Sequence, residues 1–236
     1  MLFNTPEMYG GDVNKAITDF KTALRLYESI ENQIGITIDC VVRDFITKFE
    51  SVYDKYYPEE LEEGEEPLER DIKDLDLLKW FKFTGGTKEL NKFMYVDSSL
   101  EIFGHAGETK INSVEHLNQL HNLIEDMGHT PIIVSKELNN SKPSTLFFLS
   151  KLSCKVNTIK FVRNYSDKWD YVDILITASP DTLLSKPLDK VSIKVINTYN
   201  KMCNSDYTIV DLKELLDDKK LLEKILGTET IGFEDV

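Results

Sequence analysis

Between Ile34 and Phe45 the chain reads Ile-Gly-Ile-Thr-Ile-Asp-Cys-Val-Val-Arg-Asp-Phe. Apolar side chains alternate at Ile34, Ile36 and Ile38, Val41 and Val42 follow, and one carboxylate, Asp39, stands among them. That pattern predicts a buried strand that ends at a polar site. Further apolar runs at residues 131–135, 158–162, 172–176 and 191–195 read as strands of the same kind, with helical periodicity between most of them. Alternation of this sort implies an α/β fold: a mostly parallel sheet, covered on both faces, with any ligand at the carboxyl ends of the strands.

The intervening segments are predicted from their spacing. Residues 12–32 carry Ala16, Ile17, Phe20, Leu24, Tyr27 and Ile30 on one helical stripe, and residues 41–57 form a second helix stopped by Pro58. The run of six glutamates between Glu59 and Glu66 reads as a solvated loop, because like charges at that density repel. A helix over 71–81 is expected next, then an apolar run, Phe93 to Val96, that reads as a strand leading to Asp97. Helices are predicted over 112–127, closed by Gly128, over 142–152 with Pro143 in its first turn, and over 210–226.

Composition removes several function classes. With 28 basic and 41 acidic residues the formal charge is −13, and about −7 remains when the glutamate run is set aside. Such a surface argues against broad contact with nucleic acid or an anionic membrane. No apolar stretch is long enough to cross a bilayer and the first residues lack a secretory pattern, so a cytoplasmic protein is expected. Cys40, Cys154 and Cys203 are too widely spaced for a metal or disulfide motif and read as reduced, buried small hydrophobes. His116 and His121 lie five apart, off a shared helical face, so the histidines do not form a metal-binding pattern.

The segment Thr37-Ile-Asp39-Cys40-Val-Val-Arg-Asp44-Phe45 resembles the first motif of the haloacid dehalogenase superfamily in its nucleotidase-like form, Asp-x-Asp-Gly-Val-Leu-x-Asp-Phe. Ser135, closing the strand Ile-Ile-Val-Ser, is similar to the second motif, and Lys168, upstream of the next strand, to the third. Asp173-Ile-Leu-Ile-Thr177-Ala178-Ser179-Pro180-Asp181 resembles the fourth, and the last strand with Tyr199-Asn200 also has its counterpart. The resemblance implies a Rossmannoid parallel sheet with an inserted cap. The expected layout is an added N-terminal helix over 1–33 packing on the core, a core of 34–44 and 109–236, and a cap over 45–108.

It also implies roles. Thr37 occupies the position of the nucleophilic carboxylate, and Thr177 and Ala178 those of metal-binding acids, while Asp39 keeps the general acid/base position. Ser135, Lys168 and, by its place in a first helical turn, Lys142 are expected around a phosphate, and Phe45 in the substrate pocket. Mg²⁺ prefers near-octahedral oxygen ligands including one or two carboxylates, so no cofactor is expected, Mg²⁺ entering only if the site is active. A threonine without an adjacent base is a weak nucleophile. The expected function is therefore a catalytically degenerate member with a binding or structural role. The alternatives are an active phosphomonoesterase of the nucleotidase type and a binder of phosphate or nucleotide without turnover. Asp97 is weighed as a substitute nucleophile, and the resemblance to bacteriophage-encoded members implies protein partners, virion structural proteins among them.

Overall fold

The computed structural model describes residues 31–58, 70 and 72–227. The predicted N-terminal helix and the glutamate run therefore fall outside the described residues. Six strands form one all-parallel sheet: β1 (Gln33–Ile36), β2 (Thr130–Lys136), β3 (Ile159–Val162), β4 (Ile174–Thr177), β5 (Val191–Val195) and β6 (Tyr207–Ile209), in the order β3-β2-β1-β4-β5-β6. This is the doubly wound Rossmann-type order, whose crossovers reverse direction beside β1. The sixth strand has no counterpart in the sequence-based expectation: three residues are too few to display a period.

The strands form where alternation supplies one apolar face. Ile34 and Ile36 of β1, Ile133 of β2, Ile174 and Ile176 of β4 and Ile193 and Val195 of β5 point into one aliphatic core. The opposite face is thinner, built on Ile132, Val134, Val162, Trp169, Val172 and Leu175. There Gly35 lets β1 approach its cover: a Cβ at that position would lie 2.6 Å from Val172 Cγ1 and 2.7 Å from Leu175 Cδ1.

The helices are α1 (Phe45–Tyr56), α2 (Leu77–Trp80), α3 (Gly86–Lys92), α4 (Ser113–Asp126), α5 (Ser141–Lys151), α6 (Pro180–Leu184), α7 (Leu212–Asp217) and α8 (Lys219–Leu226). A 3-10 turn spans Ser166–Tyr171. Helix α4 stops as predicted at Gly128, whose φ of +81° a side-chain-bearing residue rarely adopts. The single long helix expected over 210–226 is split, because the Asp218 carboxylate accepts from the Leu221 amide and starts a new helix at Lys219. Helix α1 begins four residues later than predicted. Cys40 takes a left-handed conformation with φ +61°, and residues 40–43 turn back so that the Cys40 amide donates to the Arg43 carbonyl at 2.8 Å.

The inserted stretch between Phe45 and about Glu108 differs most from expectation. The helix predicted over 71–81 is reduced to Leu77–Trp80, since the Asp74 carboxylate captures the Asp76 amide at 2.9 Å and closes a turn. The run Phe93–Asp97 is a stretch of wide, π-type helix rather than a strand, and Leu100–Gly104 is a second one. Their rings are gathered into a separate cluster, in which the fully buried Phe49 touches Phe45, Phe81 and Phe93 with centroids 4.8–5.8 Å apart. The insert joins the sheet region closely: a Cβ on Gly104 would lie 3.1 Å from Phe147 of α5 and 3.3 Å from the Ser144 carbonyl.

Candidate functional site

The carboxyl ends of β1, β2 and β4 converge at the point where the sheet order reverses. Thr37 and Asp39 follow β1, Ser135 and Lys136 end β2, and Ala178 and Ser179 follow β4. Together with Phe45, Tyr95, Tyr165 and Lys168 they line a cavity of about 70 Å³. The sequence-predicted residues Thr37, Asp39, Phe45, Ser135, Lys168 and Ala178 are thus brought to one place. Thr177, wholly buried, supports it from behind: the Thr37 hydroxyl donates to Thr177 Oγ1 at 3.3 Å, and the Ser179 amide donates to the same oxygen at 3.2 Å.

Lys142 is not part of the site. It is exposed on the first turn of α5 and absent from the cavity wall, so its position near a helix start was misleading. Asp97 is also remote from this role: it is exposed and paired with Lys92 at 2.6 Å. Among the described residues no group of three histidines, cysteines or carboxylates is placed to hold a metal, and His121 pairs instead with Glu125 at 3.5 Å. The three cysteines are free but half-buried rather than buried.

Arg43, which sequence reasoning left unassigned, organises the cavity wall. It is completely buried, and its guanidinium donates from Nε to Asp39 Oδ1 at 2.7 Å, from Nη2 to Glu137 Oε1 at 3.0 Å, and from Nη1 to Thr145 Oγ1 at 2.6 Å and to the Phe103 carbonyl at 3.1 Å. The rings of Phe103 and Phe148 lie 4.9 and 5.5 Å from its central carbon. Glu137 Oε1 also accepts from Ser135 at 3.1 Å and from Thr145 at 2.6 Å, and burial pushes its carboxyl above the ordinary range against the pull of Arg43. Arg43 is thus committed to two carboxylates. The one local signal in the sequence was its spacing, four residues after Asp39.

Two lysines remain to face the cavity. Lys168 is 4 % exposed, and burial, opposed chiefly by the Asp39 carboxylate, pushes its amine down to about 8. Lys136 is also lowered by burial, and its ammonium lies 4.0 Å from the centre of the Tyr165 ring. A buried amine that titrates near neutrality beside hydroxyl groups is suited to meeting an anion, which restores the charge that burial disfavours. At the rim, burial first and then Asp39 raise the Cys40 thiol to about 12, which favours its protonated form.

The donor set does not fit Mg²⁺. Threonine and alanine stand where the resemblance puts carboxylates, the two threonine hydroxyls bond each other, and Asp39 is held by Arg43.

Comparison with known proteins adds solved structures. No family model matches the chain, and no curated protein matches it. A solved structure described as "Crystal Structure analysis of a Dehalogenase with intermediate complex" is similar, with a TM-score of 0.48 and 9 % identity over 79 % of this chain and 96 % of that one. Among the described residues no helix is long and apolar enough to cross a membrane.

Proposed function

We propose that this chain is a haloacid-dehalogenase-like protein of the nucleotidase branch whose site binds an oxyanion without hydrolysing its ester. The observation that carries the reading is the bond between Thr37 and Thr177 in place of a nucleophile and a metal ligand, facing an amine, Lys168, with no bonded anion among the described residues. Covalent phosphoryl transfer needs an activated nucleophile, and metal assistance needs converging anionic oxygens. Neither is supplied by these residues. A binding or structural role follows, with protein partners, phage structural proteins included, as the setting the sequence resemblance suggests.

The test is calorimetric titration with sulfate and with inorganic phosphate, alongside an assay for Mg²⁺-dependent release of phosphate from an aryl phosphate. Binding without turnover is expected, and Lys168→Met should abolish the binding. Turnover that requires Mg²⁺ would overturn the reading. The pH dependence has a definite sign. Lys168 is protonated below about 8 and must take up a proton to bind above it, so sulfate affinity should fall by about tenfold per pH unit above that point. The triple variant Thr37→Asp, Thr177→Asp, Ala178→Asp should gain Mg²⁺-dependent thermal stabilisation that the wild type lacks.

A further inference from the structure

The carboxyl edge of the sheet carries more than one space. A groove of about 530 Å³, lined by Tyr95, Tyr165 and Tyr199, adjoins the inner cavity. A separate groove of about 350 Å³ lies at the ends of β5 and β6, walled by Val195 and Asn197 from the end of β5, by Val210 after β6 and by Val41 of the turn that follows β1. Its size suits a small molecule. Of the residues lining it, Cys40 alone also lines the inner cavity, so the Cys40 turn separates the two.

The walls are largely apolar, and one polar side chain in them is unused. Oδ1 and Nδ2 of the Asn197 side chain are both buried, and neither has a hydrogen-bond partner among the described residues. A buried amide normally finds partners, and leaving one empty costs free energy that a bound group would return. The loop beneath is firmly held. The main-chain N–H of Asn197 donates to Asn200 Oδ1 at 2.9 Å, and the wholly buried Asn200 donates from Nδ2 to the Val195 and Ala178 carbonyls at 2.8 and 3.0 Å. The Ile196 N–H donates to the Ile209 carbonyl at 2.9 Å and ties the same loop to β6. These bonds use the main chain of residue 197 and leave its side chain to the groove.

We infer that this groove binds a small uncharged molecule through a planar amide edge, a primary carboxamide or a ring amide, with an apolar body against Val41, Val195 and Val210. An asparagine side chain presents a donor and an acceptor side by side, and a group that offers an acceptor and a donor in the same way satisfies both. A carboxylate has no proton for Oδ1, and an ammonium group has no acceptor for Nδ2. A trans peptide unit carries its N–H and C=O on opposite sides, so an extended polypeptide cannot pair with both from one unit. At the rim, Asp44, Asp211 and Lys110 bring both signs of charge, so charge alone selects no ligand. The site stands or falls separately from oxyanion binding, since it uses neither Lys168 nor Ser135.

The experiment is a ligand-observed NMR titration of the full chain near neutral pH with benzamide, 2-pyridone, N,N-dimethylbenzamide and benzoate. Benzamide, 2-pyridone or both should bind, the tighter of the two telling an open amide from a ring amide. N,N-dimethylbenzamide, which has lost the N–H, and benzoate should bind at least about tenfold more weakly. Asn197→Leu, close in volume, should abolish amide binding while the free chain stays as heat-stable as wild type, because the change strands no partner of the amide. Lys168→Met should leave amide binding unchanged. Failure of both amides to bind, equal binding of benzamide and its dimethyl form, binding retained in Asn197→Leu, or binding lost in Lys168→Met overturns the inference. The two benzamides are compared on the wild type, so that comparison decides even if a variant fails to fold.

Discussion

The sheet region and the inserted region solve the same problem, burial of apolar surface, with different side chains. The main core beneath the sheet is aliphatic, Ile, Val and Leu, with Phe148 its one buried aromatic ring. The insert buries eight rings among its fourteen core residues, Phe49 fully buried among them. Regular strands present matched rows in which β-branched side chains pack well. The insert has short helices and irregular turns, so no such rows exist, and large rings fill uneven spaces while contributing more buried area per residue. The lesson is that regular backbone permits a core of small repeating parts, whereas irregular backbone depends on a few large ones. The first kind should degrade gradually under mutation, and the second abruptly.

The largest effect is expected at the joint. Arg43→Ala strands Glu137 in the interior and removes a bond to the insert, and loss of one partner of a buried pair costs about 3–5 kcal/mol. Urea unfolding should show this, with the insert and the sheet no longer melting together. Phe49→Ala should cost a similar or slightly smaller amount, about 3–5 kcal/mol, and disturb the insert before the sheet, read by near-ultraviolet dichroism against far-ultraviolet dichroism. In the sheet core, Ile36→Val should cost only about 0.5–1.5 kcal/mol with both probes still coincident. Equal sensitivity of the two regions to such changes would break the contrast.

Smaller effects test the boundary and the sheet edge. Cys40 packs against both cores with φ +61°. A β-branched residue there should be strained, so Cys40→Val should lose about 1–2 kcal/mol while Cys40→Gly stays within about 1 kcal/mol of the wild type. His129, at the amino end of β2, accepts from the Asn32 amide at 3.2 Å, and burial, partly offset by Glu31, holds its imidazole below the ordinary value. A depressed histidine contributes stability that is present above the unfolded value, near 6.5, and lost as pH falls from there through the lower folded value. Urea midpoints measured from pH 7.5 down to 5 should fall more steeply for wild type than for His129→Gln.

How much of this was legible in the sequence follows the same contrast. Five of the six strands could be placed because alternation leaves a period-two trace, as at Ile34, Ile36 and Ile38, and β6 was too short to leave one. The insert misled: Phe93 to Val96 has strand-forming residues, yet ring packing against Phe49 and Tyr53 makes it helical. At the site, Thr37, Asp39, Ser135 and Lys168 were singled out by the resemblance to the family's motifs, and Asp39 also as the lone carboxylate in an apolar run. Lys136 was overlooked although it adjoins Ser135. The partnership of Arg43 with Glu137 was out of reach, since the two are 94 residues apart and only the folded sheet brings them together. Lys142 shows the converse error, a cation judged by its local position alone.

The bond from Arg43 to the Phe103 carbonyl, with Gly104 seated against α5, bears on how a ligand gets in. A hinged lid must part from the body beneath it with each cycle, yet here the insert is fastened by a buried, charge-assisted hydrogen bond and by close backbone packing. It is therefore a fixed wall, and the groove lined by Tyr95, Tyr165 and Tyr199 is a standing doorway. On the oxyanion-binding reading proposed above, exchange of the anion is then governed by passage along that doorway, and the same wall stands whether or not the pocket is filled.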